Sequence, residues 1–169
     1  MTGYFGSVFF KGTVRENLLL AAPGARDEAL WTVLRDCKIA GFFQGEKGLD
    51  TELAENADNL SGGQKQRLAL ARALLHDSRV YIFDEATSNI DVESEEVILD
   101  RITQLAKTRT IILITHRLAN VVGADTIFCL EEGSLKGTGN HMELLKHCPE
   151  YKRLWDTQKE LEDFGKGVA

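Results

Sequence analysis

The chain has 169 residues, of which 43% are hydrophobic and 27% charged, and its formal net charge is −6. This length suits one domain with a sizeable core, and no apolar run reaches the ~18 residues that a membrane-spanning helix needs. The acidic balance and the scattered basic residues argue against general nucleic-acid binding. The three cysteines are widely spaced, form no zinc motif, and fit reduced cytosolic thiols.

The first 60 residues predict a mainly helical part. Apolar positions at helical spacing alternate there with breaks at proline, at glycine and in polar runs. The predicted elements are a strand or buried turn over residues 4–10, a short helix from a Gly12-Thr13 cap to Leu20, a helix over 26–38, and a polar loop over 45–59.

From residue 61 onward, helices alternate with apolar strands. Strands that are apolar without alternation are typical of a parallel sheet covered on both faces. The predicted order is a helix over 61–75, a strand over 80–83, an amphipathic helix over 92–106, strands over 110–115 and 125–130, and a helical tail with Pro149 near the start of the last helix. This second part therefore predicts an α/β fold.

Ser61, Gly62 and Gly63 open the helix over 61–75. Two glycines at a helix start let a backbone approach a ligand closely and leave amide N–H groups unpaired. These donors, the positive helix end and the Ser61 hydroxyl suit a bound anion. A serine cap followed by flexible glycines is the structural alternative.

Asp84 and Glu85 end the apolar strand over 80–83. In open α/β sheets, ligands bind beyond the carboxyl ends of the strands. A carboxylate at Asp84 can hold Mg²⁺ directly or through water, and one at Glu85 can polarise or deprotonate an attacking water. The alternative is a surface acidic pair.

His116 follows the strand over 110–115, so we expect it on the same rim as Asp84 and Glu85. A histidine there can contact a terminal phosphate or orient the water. The remaining histidines have no such context and are predicted to be structural: His76, His141 and His147.

These motifs together resemble the ATP-binding cassette (ABC) ATPases over almost the whole chain. Residues 60–64, Leu-Ser-Gly-Gly-Gln, resemble the family's signature motif, and residues 80–85 its Walker B strand with the catalytic glutamate. Residues 88–91 resemble the D-loop, and His116 the switch histidine. Further stretches resemble exporter-type members, at residues 12–17, 131–133 and 139–144.

The resemblance implies an α/β fold that is the C-terminal part of a RecA-like P-loop NTPase core. It adds the ABC helical subdomain over about residues 13–75, and the core half covers about residues 76–169. The implied partners are a second nucleotide-binding domain and the transmembrane domain of an exporter, with no nucleic acid. The implied location is the cytoplasmic face of the cell membrane, the chain itself being soluble and cytoplasmic.

ATP and Mg²⁺ are the cofactors that the resemblance implies, with ATP sandwiched between two cassettes. Asp84 would be the metal residue, and Glu85 and His116 the catalytic residues, all acting on ATP held by the chain's own cassette. The signature residues would act in trans, on ATP held by the partner. The residues implied to bind nucleotide are Ser61, Gly62, Gly63, Gln64 and Asp91.

Three family features are missing from these 169 residues. No G-x-x-x-x-G-K-[S/T] loop occurs, and Phe5, or Gly6 with a gap, stands where the Q-loop glutamine belongs. Only Glu55 remains of the Gly-Glu-x-Gly pattern before the signature. We therefore expect part of a cassette, inactive alone, from a truncation, a gene fragment or a split gene. Apolar surface should be exposed on the strand over 110–115 or over 125–130, making the chain less stable than a full cassette or self-associating.

Three functions remain open from the sequence. The first is the ATPase portion of an exporter that moves an unknown solute. The second is a non-catalytic module that offers residues 61–64 to a partner cassette. The third is the C-terminal half of a chromosome or DNA-repair ATPase, which the exporter-like residues 12–17 and the lack of long heptad helices before the signature disfavour.

Overall fold

The computed structural model describes residues 2–4, 8–87 and 90–166, in two compact units that divide between Ile114 and Thr115. Phe5 and Gly6, at the predicted Q-loop position, lie outside the described residues. So do Ser88 and Asn89, the first half of the predicted D-loop.

The helical part of the first unit follows the sequence closely at its start. Thr13 caps α1 because its Oγ accepts the Glu16 N–H at 3.1 Å and its own N–H donates to Glu16 Oε2 at 2.7 Å. The predicted cap and short helix are therefore confirmed. The elements here are β1 (Thr2–Tyr4), β2 (Gly12–Thr13), α1 (Val14–Leu19), α2 (Asp27–Asp36), α3 (Ala40–Gln44) and β3 (Glu52–Leu53).

The predicted loop over 45–59 is only partly a loop. It contains two 3-10 turns, Gly48–Asp50 and Glu55–Ala57, and strand β3, which pairs antiparallel with β2. The strand or turn predicted over 4–10 is also only partly right, since β1 ends at Tyr4 and residues 8–10 form no regular element. Each of these elements is two or three residues long, too short for a periodic pattern.

A three-stranded parallel sheet in the order β1-β4-β5 completes the first unit. It is built with α4 (Gly62–Leu75), β4 (Val80–Asp84), α5 (Val92–Ala106) and β5 (Thr110–Ile114), which confirm the predicted helices and strands. Tyr81 and Phe83 of β4 are buried. Ile112 and Ile114 of β5 are 46% and 49% exposed, which agrees with the apolar exposure predicted for the strand over 110–115.

Helix α4 lies at the centre of this unit and buries a run from Leu68 to Ala71. Arg72 is the residue after Ala71. Its Nη1 donates to the carbonyl of Val8 at 2.9 Å, and its guanidinium lies 4.7 Å from the ring centroid of Phe9. Burial lowers the pKa of the Arg72 guanidinium. The helix that begins at the signature motif is therefore tied to the segment that follows the predicted Q-loop position.

The second unit packs an antiparallel hairpin against two helices. Its elements are β6 (Ile127–Glu131), β7 (Ser134–Gly139), α6 (His141–His147) and α7 (Pro149–Lys166), preceded by a 3-10 turn at Leu118–Val121. The strand predicted over 125–130 is confirmed, but its pairing is not. Among the described strands it pairs with β7 rather than with the parallel sheet. The cause is the tight turn at Glu132 and Gly133, whose φ angles of +52° and +72° return the chain at once.

His141 is a packing residue of this unit, as the sequence predicts. It is 8% exposed, and its Nδ1 lies 2.8 Å from the Tyr151 hydroxyl. Its ring also meets those of Tyr151 and Trp155 edge to face.

No helix in the described part of the chain is long and apolar enough to cross a membrane. The predicted subdomain boundary near residue 75 falls inside the first unit and stays a prediction.

Candidate functional site

Ser61 is the N-cap residue of α4 and forms a capping box with Gln64. The Ser61 Oγ accepts the Gln64 N–H at 3.2 Å, and the Gln64 Oε1 accepts the Ser61 N–H at 2.9 Å. The first turn of α4 contains no acidic residue, so its positive end is not compensated from within the helix. The Ser61 Oγ is thus an acceptor within the cap, and the Gln64 side chain is engaged at the helix start.

Gly62 and Gly63 have different surroundings. Gly62 is exposed, and its N–H has no acceptor within the helix. Gly63 is buried, and a Cβ there would lie 2.3 Å from Ser94 Oγ and 2.7 Å from Asp91 Oδ2. The sequence attributed both glycines to a ligand, and for Gly63 the structure gives another reason, which is the close approach of α5.

Asp91 is the N-cap residue of α5. Its Oδ1 accepts the Ser94 N–H and its Oδ2 accepts the Ser94 hydroxyl, each at 2.8 Å. These bonds lower the pKa of the Asp91 carboxyl, the backbone bond most, and the positive charge of Arg67 contributes. Asp91 thus has a structural role in the fold, and its contact with nucleotide stays a prediction.

The starts of α4 and α5 meet at one place in the first unit. Arg67 lies beside both, since its Nε donates to the Gly63 carbonyl at 3.4 Å and its charge acts on Asp91. The same guanidinium reaches the carbonyl of Lys38 at 3.3 Å through Nη1. Two helix N-termini, each of which favours negative charge, are thereby fixed side by side.

Asp84 and Glu85 both lie exposed where β4 ends. Glu85 has a left-handed backbone, with φ of +46°, and its N–H donates to the Ile114 carbonyl at 2.9 Å. Ala86 and Thr87 follow at 2% and 5% exposure. The chain therefore turns sharply between the exposed carboxylates and the buried residues Ala86 and Thr87. The hydrogen bond from the Glu85 N–H to β5 holds this turn in place. A non-glycine residue in this conformation is costly and is often found at functional sites.

These carboxylates fit a site in which Mg²⁺ is bound by protein carboxylates together with phosphate oxygens and water. Mg²⁺ takes oxygen ligands and usually retains several waters beside one or two carboxylates. No group of three or more His, Cys, Asp or Glu side chains suited to a metal occurs among the described residues. A magnesium ion at Asp84 would therefore take most of its ligands from water and phosphate.

His116 belongs to the second unit, where it is exposed. Gln158 of α7 holds the backbone that leads from His116 to Leu118. The Gln158 Nε2 donates to the His116 carbonyl, and the Gln158 Oε1 accepts the Leu118 N–H at 2.9 Å. The placement of His116 on one rim with Asp84 and Glu85 stays a prediction.

Three residues that contact the motif residues within their own units were missed from the sequence: Ser94, Arg67 and Gln158. Ser94 had a signal, because it stands three residues after Asp91, the spacing at which a cap side chain meets a backbone N–H. Gln158 had none, since 42 residues separate it from His116.

A groove of about 440 Å³ lies away from these motifs, between α2 and α5. Its walls carry both signs of charge and pair with each other, as Arg101 Nη2 does with Asp36 Oδ2 at 2.6 Å. None of the predicted site residues lines it. The residues predicted to carry the chemistry therefore lie at helix and strand ends, outside this groove.

Known proteins agree with the motifs. The sequence family described as "ABC transporter" matches residues 5–88. An uncharacterized ABC transporter ATP-binding protein of Haemophilus influenzae is 51% identical over 92% of this chain, and a putative multidrug export ATP-binding/permease protein of Staphylococcus aureus is 40% identical over 90%. A solved structure of a bacterial Atm1-family ABC exporter with ATP bound superimposes with a TM-score of 0.88, at 35% identity and over 94% of this chain.

The chain spans about a quarter of the length of these proteins, from 26% to 28%. The match to the solved exporter supports the predicted fold class, an α/β part of a RecA-like core with the ABC helical subdomain. The signature motif on α4 and the acidic end of β4 are the parts that carry the resemblance. With its motifs, its fold and its relatives in agreement, the chain belongs to the ATP-binding cassette transporter family and represents part of an exporter-type nucleotide-binding domain.

Proposed function

We propose that this chain supplies part of the ATP-hydrolysing site of an ABC exporter. The observation that carries the proposal is the end of β4, where Asp84 and Glu85 stand exposed on a turn fixed by the bond from Glu85 N–H to the Ile114 carbonyl. Carboxylates that are held by the backbone at the carboxyl end of a parallel strand suit phosphate chemistry with Mg²⁺ and water.

Asp84 holds the metal in this proposal, through water, and Glu85 accepts the proton of the attacking water. Bound Mg²⁺ supplies charge neutralisation for the phosphate oxygens. The fixed turn at Glu85 sets the point and the direction in which its side chain leaves the backbone. His116 is a further catalytic residue of the proposal, and the Gln158 side chain holds its backbone.

The start of α4 acts on a second ATP, held by a partner cassette. Ser61 and Gly62 present the hydroxyl, the amide and the positive helix end to a phosphate. Gln64, Gly63 and Asp91 hold that helix start in position, through the capping box and the contact with α5. In the same proposal, Gly63, Gln64 and Asp91 also contact nucleotide.

The relatives support a wider assembly, since one is described as a putative multidrug export ATP-binding/permease protein and another as an ABC exporter with ATP bound. We extend this to the present chain: it pairs with a second nucleotide-binding domain and couples ATP hydrolysis to a transmembrane domain on the cytoplasmic face of the membrane. The solute is not specified by any described residue.

ATP turnover tests the proposal. The purified chain alone should turn over no ATP, because no phosphate-binding G-x-x-x-x-G-K-[S/T] loop occurs in it. Addition of a polypeptide that contains such a loop and its strand should give turnover. Glu85→Gln should abolish it, by roughly 10²-fold or more, because the carboxamide is not a base.

A complete partner cassette tests the trans role separately. The ATP turnover of the partner cassette should rise when this chain is added, and Ser61→Arg in this chain should remove the rise. Glu85→Gln in this chain should leave its binding to the partner cassette intact. Turnover by the chain alone, or stimulation that survives Ser61→Arg, would contradict the proposed division of roles.

A further inference from the structure

We propose that Cys129 and Cys148 form a dithiol modification site in the second unit, which peroxide closes to a disulfide. Cys129 lies on β6 and is 6% exposed, and Cys148 ends α6 and is 2% exposed. The inference concerns the packing of this unit and does not depend on ATP.

Gly137 shows how the two side chains come together. It is the register partner of Cys129 across the hairpin. A Cβ built on Gly137 would lie 2.9 Å from the Cys148 Sγ and 3.0 Å from the Cys148 Cβ. Cys148 therefore fills the space where a side chain at Gly137 would stand. Because directly opposed residues have Cβ atoms about 5 Å apart, Cys129 borders the same space.

The two thiols lie in one buried apolar cluster. Burial raises the pKa of the Cys129 thiol to about 11, and its hydrogen bond and charge interaction with Cys148 raise it further in the same direction. Cys148 Sγ also lies 3.6 Å from the Glu150 Oε2. The space beside Gly137 brings Cys148 close to Cys129, and a short backbone separation is the main geometric demand of a disulfide.

The chemistry balances with hydrogen peroxide as the oxidant. One thiol loses its proton, and its sulfur takes an oxygen atom from the peroxide to give a sulfenic acid, with release of water. The second thiol loses its proton and displaces the hydroxyl as a second water, and the S–S bond forms. Two thiols and one peroxide thus give one disulfide and two waters.

The disulfide would tie β6 to the junction of α6 and α7. At present, that junction is held to the hairpin by the apolar cluster of Leu118, Ile127, Leu144 and Tyr151 around the two thiols. A covalent link across it removes conformations from the unfolded chain and stabilises the unit. The oxidised chain should therefore unfold at a temperature several degrees above that of the reduced chain.

Peptide mapping of the peroxide-treated chain under non-reducing conditions tests the site directly. We expect a linked pair of peptides that contain Cys129 and Cys148, lighter by two hydrogen atoms and separated by a reductant. Because the thiolate reacts and the pKa of the Cys129 thiol is about 11, the pair should form roughly tenfold faster for each pH unit between 7 and 9.

Cys37 provides the matched control, since it is also buried, and desolvation raises the pKa of its thiol to about 12. Cys37→Ser should keep the linked pair and the rise in melting temperature, whereas Cys148→Ser and Cys129→Ser should lose both. Products that link Cys37, chains joined to each other, or cysteines oxidised to acids without an internal link would overturn the inference. Mapping of the unaltered chain decides the matter even if a variant fails to fold.

Discussion

The close approach of helix α5 explains why residue 63 is a glycine. Its missing side chain makes room for Ser94 and Asp91, which stand at the start of α5. Gly62, by contrast, is exposed to solvent. Two adjacent glycines of one motif thus serve different purposes, one toward solvent and one toward the fold.

Gly63→Ala should destabilise the chain. The new Cβ would stand 2.3 Å from Ser94 Oγ, so α4 and α5 must move apart, at a cost of about 1–3 kcal/mol in the free energy of unfolding. Urea denaturation measures this. Gly41→Ala in α3 is the control, because nothing lies within 4 Å of a Cβ there and the change should stabilise by roughly 0.5–1 kcal/mol. Equal effects of both changes would contradict the close approach at Gly63.

The left-handed backbone of Glu85 has a free-energy cost that can be measured without nucleotide. Its φ of +46° suits glycine better than any residue with a Cβ. Comparison of Glu85→Gly with Glu85→Ala separates the backbone from the side chain, since both lose the carboxylate. We expect the glycine variant to be more stable than the alanine variant by about 1 kcal/mol in urea denaturation. An alanine variant as stable as the glycine variant would show that the turn is not strained.

At the scale of the element, the cap of α5 depends on the charge of Asp91. The bonds from Ser94 lower the pKa of the Asp91 carboxyl in the folded chain, so the folded state binds its proton less readily than the unfolded state. The stability that the charged cap provides is therefore complete above the unfolded pKa near 4 and is lost as the pH falls through the lower folded pKa.

Asp91→Asn is the variant that tests this cap, because an asparagine still accepts the Ser94 N–H but does not titrate. The unaltered chain should be the more stable of the two at pH 7, and the difference should shrink as the pH falls below about 4. Thermal unfolding of both chains between pH 7 and pH 3 measures it. A difference that stays constant over this range would mean that the charge of Asp91 does not contribute.

Long elements, and short ones marked by a cap or an apolar run, could be predicted from the sequence, whereas short elements without such a signal could not. Helices α4 and α5 have caps and 14 or 15 residues of pattern, so their limits agree with the prediction within one residue. Helix α3 has five residues, and β7 is rich in glycine and exposed, so neither carries a clear period. The antiparallel pairing of β6 depends on the turn after it, which a run of apolar residues does not reveal.

The motif residues could also be predicted from the sequence, but the residues that position them could not. Asp84 and Glu85 follow a strand, and Ser61 begins a helix, so position along the chain was informative. The left-handed turn at Glu85 and the bonds of Gln158 come from tertiary contacts. The conformations of these residues are set by neighbours distant in sequence, and local pattern carries no trace of them.

At the scale of the whole molecule, apolar side chains are exposed on both strands where the sequence led us to expect them. Ile112 and Ile114 lie on β5, which is at the edge of the described sheet order. Phe128 and Leu130 of β6 are 63% and 67% exposed, on the side of the strand opposite to Cys129. Edge strands with exposed apolar residues promote association between chains.

We therefore expect the chain to self-associate in solution, with an average mass in sedimentation velocity that rises with protein concentration. Lysine at an exposed strand position opposes edge pairing, so Ile112→Lys combined with Ile114→Lys should reduce the association. Leu20→Lys is the matched control, because Leu20 is 58% exposed at the end of α1 and lies on no strand. If the control variant loses the association as completely as the double variant, β5 is not the surface involved. A chain that stays monomeric at every concentration would show that the exposed residues on β5 and β6 are not sufficient to bring two chains together.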